Sequence, residues 1–179
     1  MEIKYFNANN QLVINNEGIA IARYKRDNQG NLIEKQNIGL DGQLKDDLER
    51  VAIYKRRLDF WSNIVETSCY NSHNQLTENV NSFAFQRLLY DDQCNIIERR
   101  NCGINGVLKG NDEKIAIFKY KYDKHSNLIE KVYYNNKEQL QGDKYGIVRW
   151  RYIYKNGVKQ KTIIYDIDDI PIKSWDNRQ

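Results

Sequence analysis

From Ile115 the chain reads IAIFKYKYD, KHSN, LIEKVYYN, NKEQ, L, two strand-like runs of six to nine residues separated by polar breaks. Alternation along the first run of a unit puts Ile19 and Ile21 on one side and Ala20, Ala22 and Tyr24 on the other. The same apolar stripe returns as Val51 and Ile53, Phe83 and Phe85, Ile115 and Ile117. Opposite it runs a column of small residues, Ala20, Ala52, Ala84 and Ala116, then Val148, which predicts close approach of another segment. Short runs bounded by turn residues predict β-hairpins.

The spacing is constant. Asn31, Asn63, Asn95 and Asn127 lie 32 residues apart, as do Leu12, Leu44, Leu76, Leu108 and Leu140. Asp27, Asp59, Asp91 and Asp123 keep the same step, and so do Glu2, Glu34, Glu66, Glu98 and Glu130. The chain therefore divides into a half repeat (1–18), four full repeats (19–50, 51–82, 83–114, 115–146) and a degenerate one (147–179), read as one repeat domain. In the turn column the Asp carboxylate accepts nearby backbone N–H groups, and Gly or Asn tolerates the left-handed conformation of a tight reversal. A second turn follows at Leu40-Asp41-Gly42 and Ile104-Asn105-Gly106. The connector after it, such as Lys45 to Glu49, reads as the least constrained part of each unit.

One hairpin cannot bury such a stripe, so the expected fold is all-β: tandem hairpins side by side in one long, curved antiparallel meander, open and solenoid-like. Composition agrees. Thirteen Tyr and five Phe among 179 residues favour pleated, half-buried surfaces over a helical bundle. The sequence has no long apolar run for a membrane span and no export signal at its start, so the expectation is a cytoplasmic protein without a membrane partner. Cys69, Cys94 and Cys102 form no CxxC pair and read as reduced structural thiols.

The stretches GIAIARYKRDNQGNLIEK and IAIFKYKYDKHSNLIEKVYYN resemble bacterial tandem repeats of the form G-x-A-x-x-x-Y-x-Y-D-x-x-G-N-x-x-E, loosely the YD repeats of Rhs proteins. The resemblance covers nearly the whole chain and implies a twisted antiparallel meander without a catalytic residue. The chain departs from the pattern where the turn glycine survives only as Gly30, becoming Ser62, Cys94 and Ser126, and where Leu58 replaces the tyrosine before Asp59. Long Rhs proteins enclose a toxin, whereas the few units here leave an open sheet.

Two charged columns invite a structural or a functional reading. Arg23, Lys55, Arg87 and Lys119, continued by Arg151, stay basic, and Glu34, Glu66, Glu98 and Glu130 stay acidic. Equivalent residues two strands apart lie ~9.6 Å from each other, so each column repels itself mildly and a nearby opposite column relieves it. With the Asp-to-Asn loop closing the hairpin, Arg23 falls roughly across from Lys35 and Glu34 across from Tyr24. An Arg23–Glu34 contact is then diagonal or between units. The columns read either as an ion-pair ladder holding register or as a basic ribbon for a ligand. Trp61 interrupts a column of Gln29, Gln93 and His125, so repetition does not require it. From Lys144 to Lys161 basic residues alternate with Trp150, Tyr152 and Tyr154 and no acid intervenes.

Residues for chemistry are not assembled. His73 and His125 occupy different turns, there is no phosphate loop or nucleophile elbow, and Asp166, Asp168 and Asp169 lack the spacing of a calcium loop. Recurring acids belong to a scaffold, since an enzyme needs its special residues once. The expectation is therefore a non-enzyme without cofactor or metal. Its reading is a protein-binding module, in its most concrete form an immunity or antitoxin protein that occludes a toxin domain presenting an acidic surface. Trp61, Trp150, Arg149, Arg151, Lys155 and Tyr152 are the candidate contacts. The alternative is a module that binds nucleic acid or another anionic polymer through the basic and aromatic C-terminal strands.

Overall fold

The computed structural model describes residues 1–176, so the last three positions of the degenerate repeat lie outside the described residues. Twelve strands follow one another: β1 (Glu2–Lys4), β2 (Ile21–Arg26), β3 (Leu32–Ile38), β4 (Ile53–Leu58), β5 (Ile64–Tyr70), β6 (Phe85–Tyr90), β7 (Ile96–Cys102), β8 (Ile117–Tyr122), β9 (Leu128–Tyr134), β10 (Arg149–Lys155), β11 (Val158–Tyr165) and β12 (Pro171–Asp176). They make one open antiparallel meander in which sequence order is spatial order. No helix occurs among the described residues. Two compact units divide the chain: Met1–Arg87 with Cys102–Val107, and Leu88–Asn101 with the chain from Leu108 onward.

Each full repeat reverses three times with the same device. In the repeat from Ile19 the turns are Asp27 to Asn31, Gly39 to Gln43 and Asp47 to Val51. Each is closed by a bond from the N–H of its first residue to the carbonyl of its fifth, at 3.0, 2.9 and 3.0 Å. The fourth residue is left-handed: Gly30 (φ 86), Gly42 (φ 77) and Arg50 (φ 64). In the first and third turns the first side chain supplies the missing acceptor, and in the second Asp41 Oδ1 accepts the Gln43 N–H at 3.0 Å. Asp27 Oδ1 takes the N–H groups of Gln29 and Asn31 at 2.9 and 2.8 Å, and Asp47 Oδ1 takes those of Glu49 and Val51 at 2.9 and 3.2 Å.

This third turn corrects the expectation of a loosely constrained connector. Asn15, Asp47, Asn79, Asn111 and Asp143 occupy one column, and each accepts two turn N–H groups through its side chain. The signal was hidden because Asn and Asp share the role, so no single letter fills the column.

Register departs by one residue from the simple loop count. Arg23 pairs with Gln36, Tyr24 with Lys35 and Lys25 with Glu34, because a bulge opposite Lys25 and Arg26 leaves Ile33 as an extra residue after the turn. Bulges recur between Arg57 and Leu58 and between Lys121 and Tyr122. A one-residue slip exchanges faces. Here it brings the acidic column onto the face that carries Arg23 and Lys25.

The core sits at the base of the hairpins, away from the first turns. Ile19, Ala20, Ala22, Val51 and Ala52 are fully buried, so both faces of the strand ends are covered. On one face Leu44, delivered by the second turn, packs with Leu12 on Ile21 and Ile38. On the other the third turn folds over: Asn37 Nδ2 donates to Asp47 Oδ2 and to the Val51 carbonyl, both at 2.9 Å, and the Tyr54 hydroxyl donates to Asp47 at 2.9 Å. The alanine column is the meeting point of neighbouring repeats. The carbonyls of Ala20, Ala52, Ala84 and Ala116 accept the N–H groups of Tyr5, Asn37, Cys69 and Asn101.

Candidate functional site

Between base and tip the sheet presents a charged and an aromatic face. On the charged face, in-register partners across neighbouring hairpins are Glu34 with Lys55, Glu66 with Arg87, Glu98 with Lys119 and Glu130 with Arg151. The ion pairs alternate in strength. Glu2–Arg23 is 2.6 Å, Glu66–Arg87 is 2.7 Å and Glu130–Arg151 is 3.1 Å, each recurring after 64 residues. The lysines between them behave otherwise. Lys55 lies 4.3 Å from the Tyr70 ring centroid and Lys119 5.0 Å from that of Tyr134, while Lys119 is 3.7 Å from Glu98. Burial disfavours the charge on Glu130, yet Lys121 and Arg151 hold its carboxyl below the usual carboxylate range.

A repeat of 64 therefore overlies that of 32. Gln29, Asn31 and Ser62 form a side-chain chain that Gln93, Asn95 and Ser126 reproduce. Asn37 and Asn101 alternate with Cys69 and Tyr133, and the glycine turns at Gly42 and Gly106 alternate with Asn74 and Glu138. At Gly39 a Cβ would come within 2.8 Å of Asp41 Oδ1, so a larger residue there would displace the carboxylate that accepts the Gln43 N–H. The alternation of Arg23, Lys55, Arg87, Lys119 and Arg151 was the sequence signal for it.

The aromatic face differs between the two compact units. In the first, Lys35 is paired with Glu17 at 2.9 Å and lies beside Tyr54 in an open cleft of about 460 Å³, bounded by Asn16, Asp47 and Leu48. In the second, larger side chains occupy the face. Phe118 and Tyr133 pack edge to face at 5.4 Å, and Trp150 meets Trp175 edge to face at 6.1 Å. Burial, with Asp143 nearby, pushes the Tyr133 hydroxyl up to about 12.

One hairpin tip stands apart. Phe60 is 91% and Trp61 74% exposed, their rings edge to face at 5.8 Å. The turn beneath them is rigid: Asp59 accepts the N–H groups of Trp61 and Asn63 at 3.0 and 2.8 Å, and Ser62 is left-handed at φ 68. Equivalent tips carry Asn28-Gln29, Asp92-Gln93 and Lys124-His125. Phe60 escaped the sequence reading, although it is the only apolar residue in its column.

The six candidate contacts divide between the two compact units. Trp61 belongs to the first compact unit and the other five to the second. Pleating puts Trp150 and Tyr152 on the aromatic face, both half-buried, and Arg149 and Arg151 on the charged face. Arg151 Nε donates to Glu130 at 3.1 Å and Arg149 pairs with Asp169, so both arginines already have carboxylates. Lys155 is exposed at the end of β10. Cys69 and Cys102 are buried and Cys94 is exposed. Burial pushes the Cys69 thiol up to about 12, which leaves it an inert thiol at neutral pH. No group of three His, Cys, Asp or Glu side chains suited to a metal occurs among the described residues.

Solved structures similar to this chain are TcdB2-TccC3-TEV, at 14% identity, and TcdB2-TccC3-Cdc42 and TcdB2-TccC3, each at 15%. All three superpose with a TM-score of 0.48 over 97% of this chain. The chain spans 9 to 10% of the length of those structures. No family model matches the sequence, and no curated protein matches it.

Proposed function

We propose that this repeat chain is a non-catalytic module that binds a protein partner, with the Phe60–Trp61 tip as its anchor. The observation that carries this reading is the exposure of two adjacent aromatic rings on a turn that the scaffold holds rigid. Aromatic side chains with little conformational freedom to lose dominate protein interfaces. The tip also stands where repetition asks only for a polar residue, so stability gives no account of it. Nearby Arg57, with a side chain 65% exposed and only a 3.9 Å contact to Glu66, adds a cation suited to an acidic rim on the partner.

The narrower form of the proposal, an immunity protein that occludes a toxin domain, draws on the sequence resemblance to YD repeats. Binding of an anionic polymer by the C-terminal strands is the second reading. Lys155 and Lys159 are exposed there, and Lys159 lies 5.4 Å from the Tyr152 ring centroid.

Affinity capture from the native host with wild-type bait and with Phe60→Ser/Trp61→Ser bait tests the first reading. A partner held by the wild type and lost by the double variant is the expected result. An identical set of captured proteins overturns the tip as anchor. Titration with a thymidine oligonucleotide at low and high salt tests the second, and a flat low-salt curve dismisses it.

A further inference from the structure

The cleft of about 460 Å³ in the first compact unit holds more charge than it pairs. Glu17, Asp47 and Glu49 line it together with Lys35 and Arg56. Two of the three carboxylates are occupied. Glu17 takes Lys35 at 2.9 Å, and Asp47 accepts the side chains of Asn37 and Tyr54 and two turn N–H groups. The Glu49 carboxylate accepts, among the described residues, only the Asn81 side-chain amide, at a long 3.4 Å. Arg56 is half-buried and, among the described residues, has no carboxylate within ion-pairing distance. One anion and one cation thus face the same cleft without pairing with each other. A partly buried charge without a partner is costly, and an opposite charge brought by a ligand relieves it.

Repetition accounts for neither group. Arg56 stands in the column of Tyr24, Leu88, Tyr120 and Tyr152, where an aromatic or apolar side chain is otherwise kept. Glu49 stands in the column of Glu17, whose cation Lys35 comes eighteen residues later. Eighteen residues after Glu49 stands Thr67, which is neutral and lies across from Arg56 in register. In the second unit the same face is filled. Phe118, two repeats on from Tyr54, has Arg99 Cζ at 3.9 Å and Lys131 Nζ at 5.9 Å from its ring centroid.

The walls of the cleft specify the ligand further. Tyr54 and Arg56 alternate on β4 and so share a face. Leu48 rises from the third turn, 71% exposed, with its N–H donating to the Glu17 carbonyl at 3.2 Å. Glu49 follows it, and its charge, after burial and the bond to Asp47, is among the causes that raise the Tyr54 hydroxyl above its ordinary value. An exposed leucine and a tyrosine therefore stand with an unpaired anion and cation around one cavity of the size that holds small ligands. We propose that this cleft binds a short zwitterionic peptide, its carboxylate on the Arg56 guanidinium, its ammonium on Glu49 and an apolar side chain against Leu48 and Tyr54. Arg56 supplies the planar donor fork that a carboxylate fits. A free amino acid offers the same groups over a shorter span. The cleft is separate from the Phe60–Trp61 tip and stands or falls independently of the protein-binding reading.

Leucyl-leucine is the probe, titrated by calorimetry against the full chain at low salt. Saturable binding is expected, weakened about tenfold by Arg56→Gln or by Glu49→Gln and left intact by Lys25→Gln on the charged face. N-acetyl-leucyl-leucine and leucyl-leucinamide each lack one charge and are expected to bind about tenfold more weakly than leucyl-leucine. Arg56→Tyr restores the residue of its column, so it should keep the circular dichroism of the wild type while losing the peptide. Leucine is a separate arm, and tighter binding of leucine than of leucyl-leucine overturns the peptide as ligand. Failure of the wild type to saturate, equal affinity for the capped peptides, or retention of binding by Arg56→Gln/Glu49→Gln overturns the site.

Discussion

The base and the tip of each hairpin are built from the same two strands, yet they hold together differently. At the base, second and third turns fold over both faces, and Ile19, Ala20, Val51, Ala116 and Ile117 are at most 1% exposed. Toward the tip the sheet is a single layer. Its charged face carries Lys121 with a side chain 71% exposed, and its end carries Phe60 at 91%. Burial stabilises the base, whereas pairing, turns and surface ion pairs stabilise the tip. Exposed ion pairs are worth ~0 to 1 kcal/mol, so the tip leaves its surface free for other uses while the base does not.

A cavity in the base is expected to do the most damage. Ile117→Ala removes a side chain that is fully buried, and a loss of about 2–5 kcal/mol in urea unfolding is expected. Phe60→Ser/Trp61→Ser removes larger side chains yet should leave the urea midpoint close to wild type. Comparable losses in the two variants would erase the distinction between base and tip.

Turns sharpen it next. Asp47 serves two turn N–H groups, Asn37 and Tyr54 together, so Asp47→Ala is expected to cost about 1–3 kcal/mol. Asp59→Ala at the tip removes bonds to Trp61 and Asn63 alone and should lower the thermal midpoint less. An equal or larger shift for Asp59→Ala would show that the tip turn bears weight on which the base depends.

The smallest effect is the response to acid. Side-chain bonds from Asn31, Asn95 and Asn127 hold Asp27, Asp91 and Asp123 below the ordinary aspartate value of 3.8. A folded-state value below the unfolded one means stability that is present above the unfolded value and lost as pH falls through the folded one. Tip-turn amides such as Gln29 and Asn31 should therefore lose hydrogen-exchange protection below about pH 4 before base amides such as Ala52 do. Simultaneous loss at both ends would mean that the repeat opens as one cooperative unit.

The hairpins, the 32-residue step and the all-β meander were legible because letters recur in place: Asn31 to Asn127, Leu12 to Leu140. The third turn was not, since Asn and Asp interchange in it, and neither was the bulge at Lys25, which decides that Glu34 lies across from Lys25 and Lys55. Of the candidate contacts, Trp61 was visible as an interruption of a column. Its companion Phe60 carried the same kind of signal, as the only apolar residue in its column, whereas the approach of Arg99 and Lys131 to one ring needed the spatial arrangement.

Local rules alone therefore dictated the elements of this protein: side-chain alternation, turn acceptors and a constant step depend only on near neighbours along the chain. Which charges meet and which aromatic side chains remain exposed depend on register between strands and on how turns fold back over the sheet. A single bulge residue exchanges the two faces, so the face that Glu34 occupies is fixed only once β2 and β3 have paired.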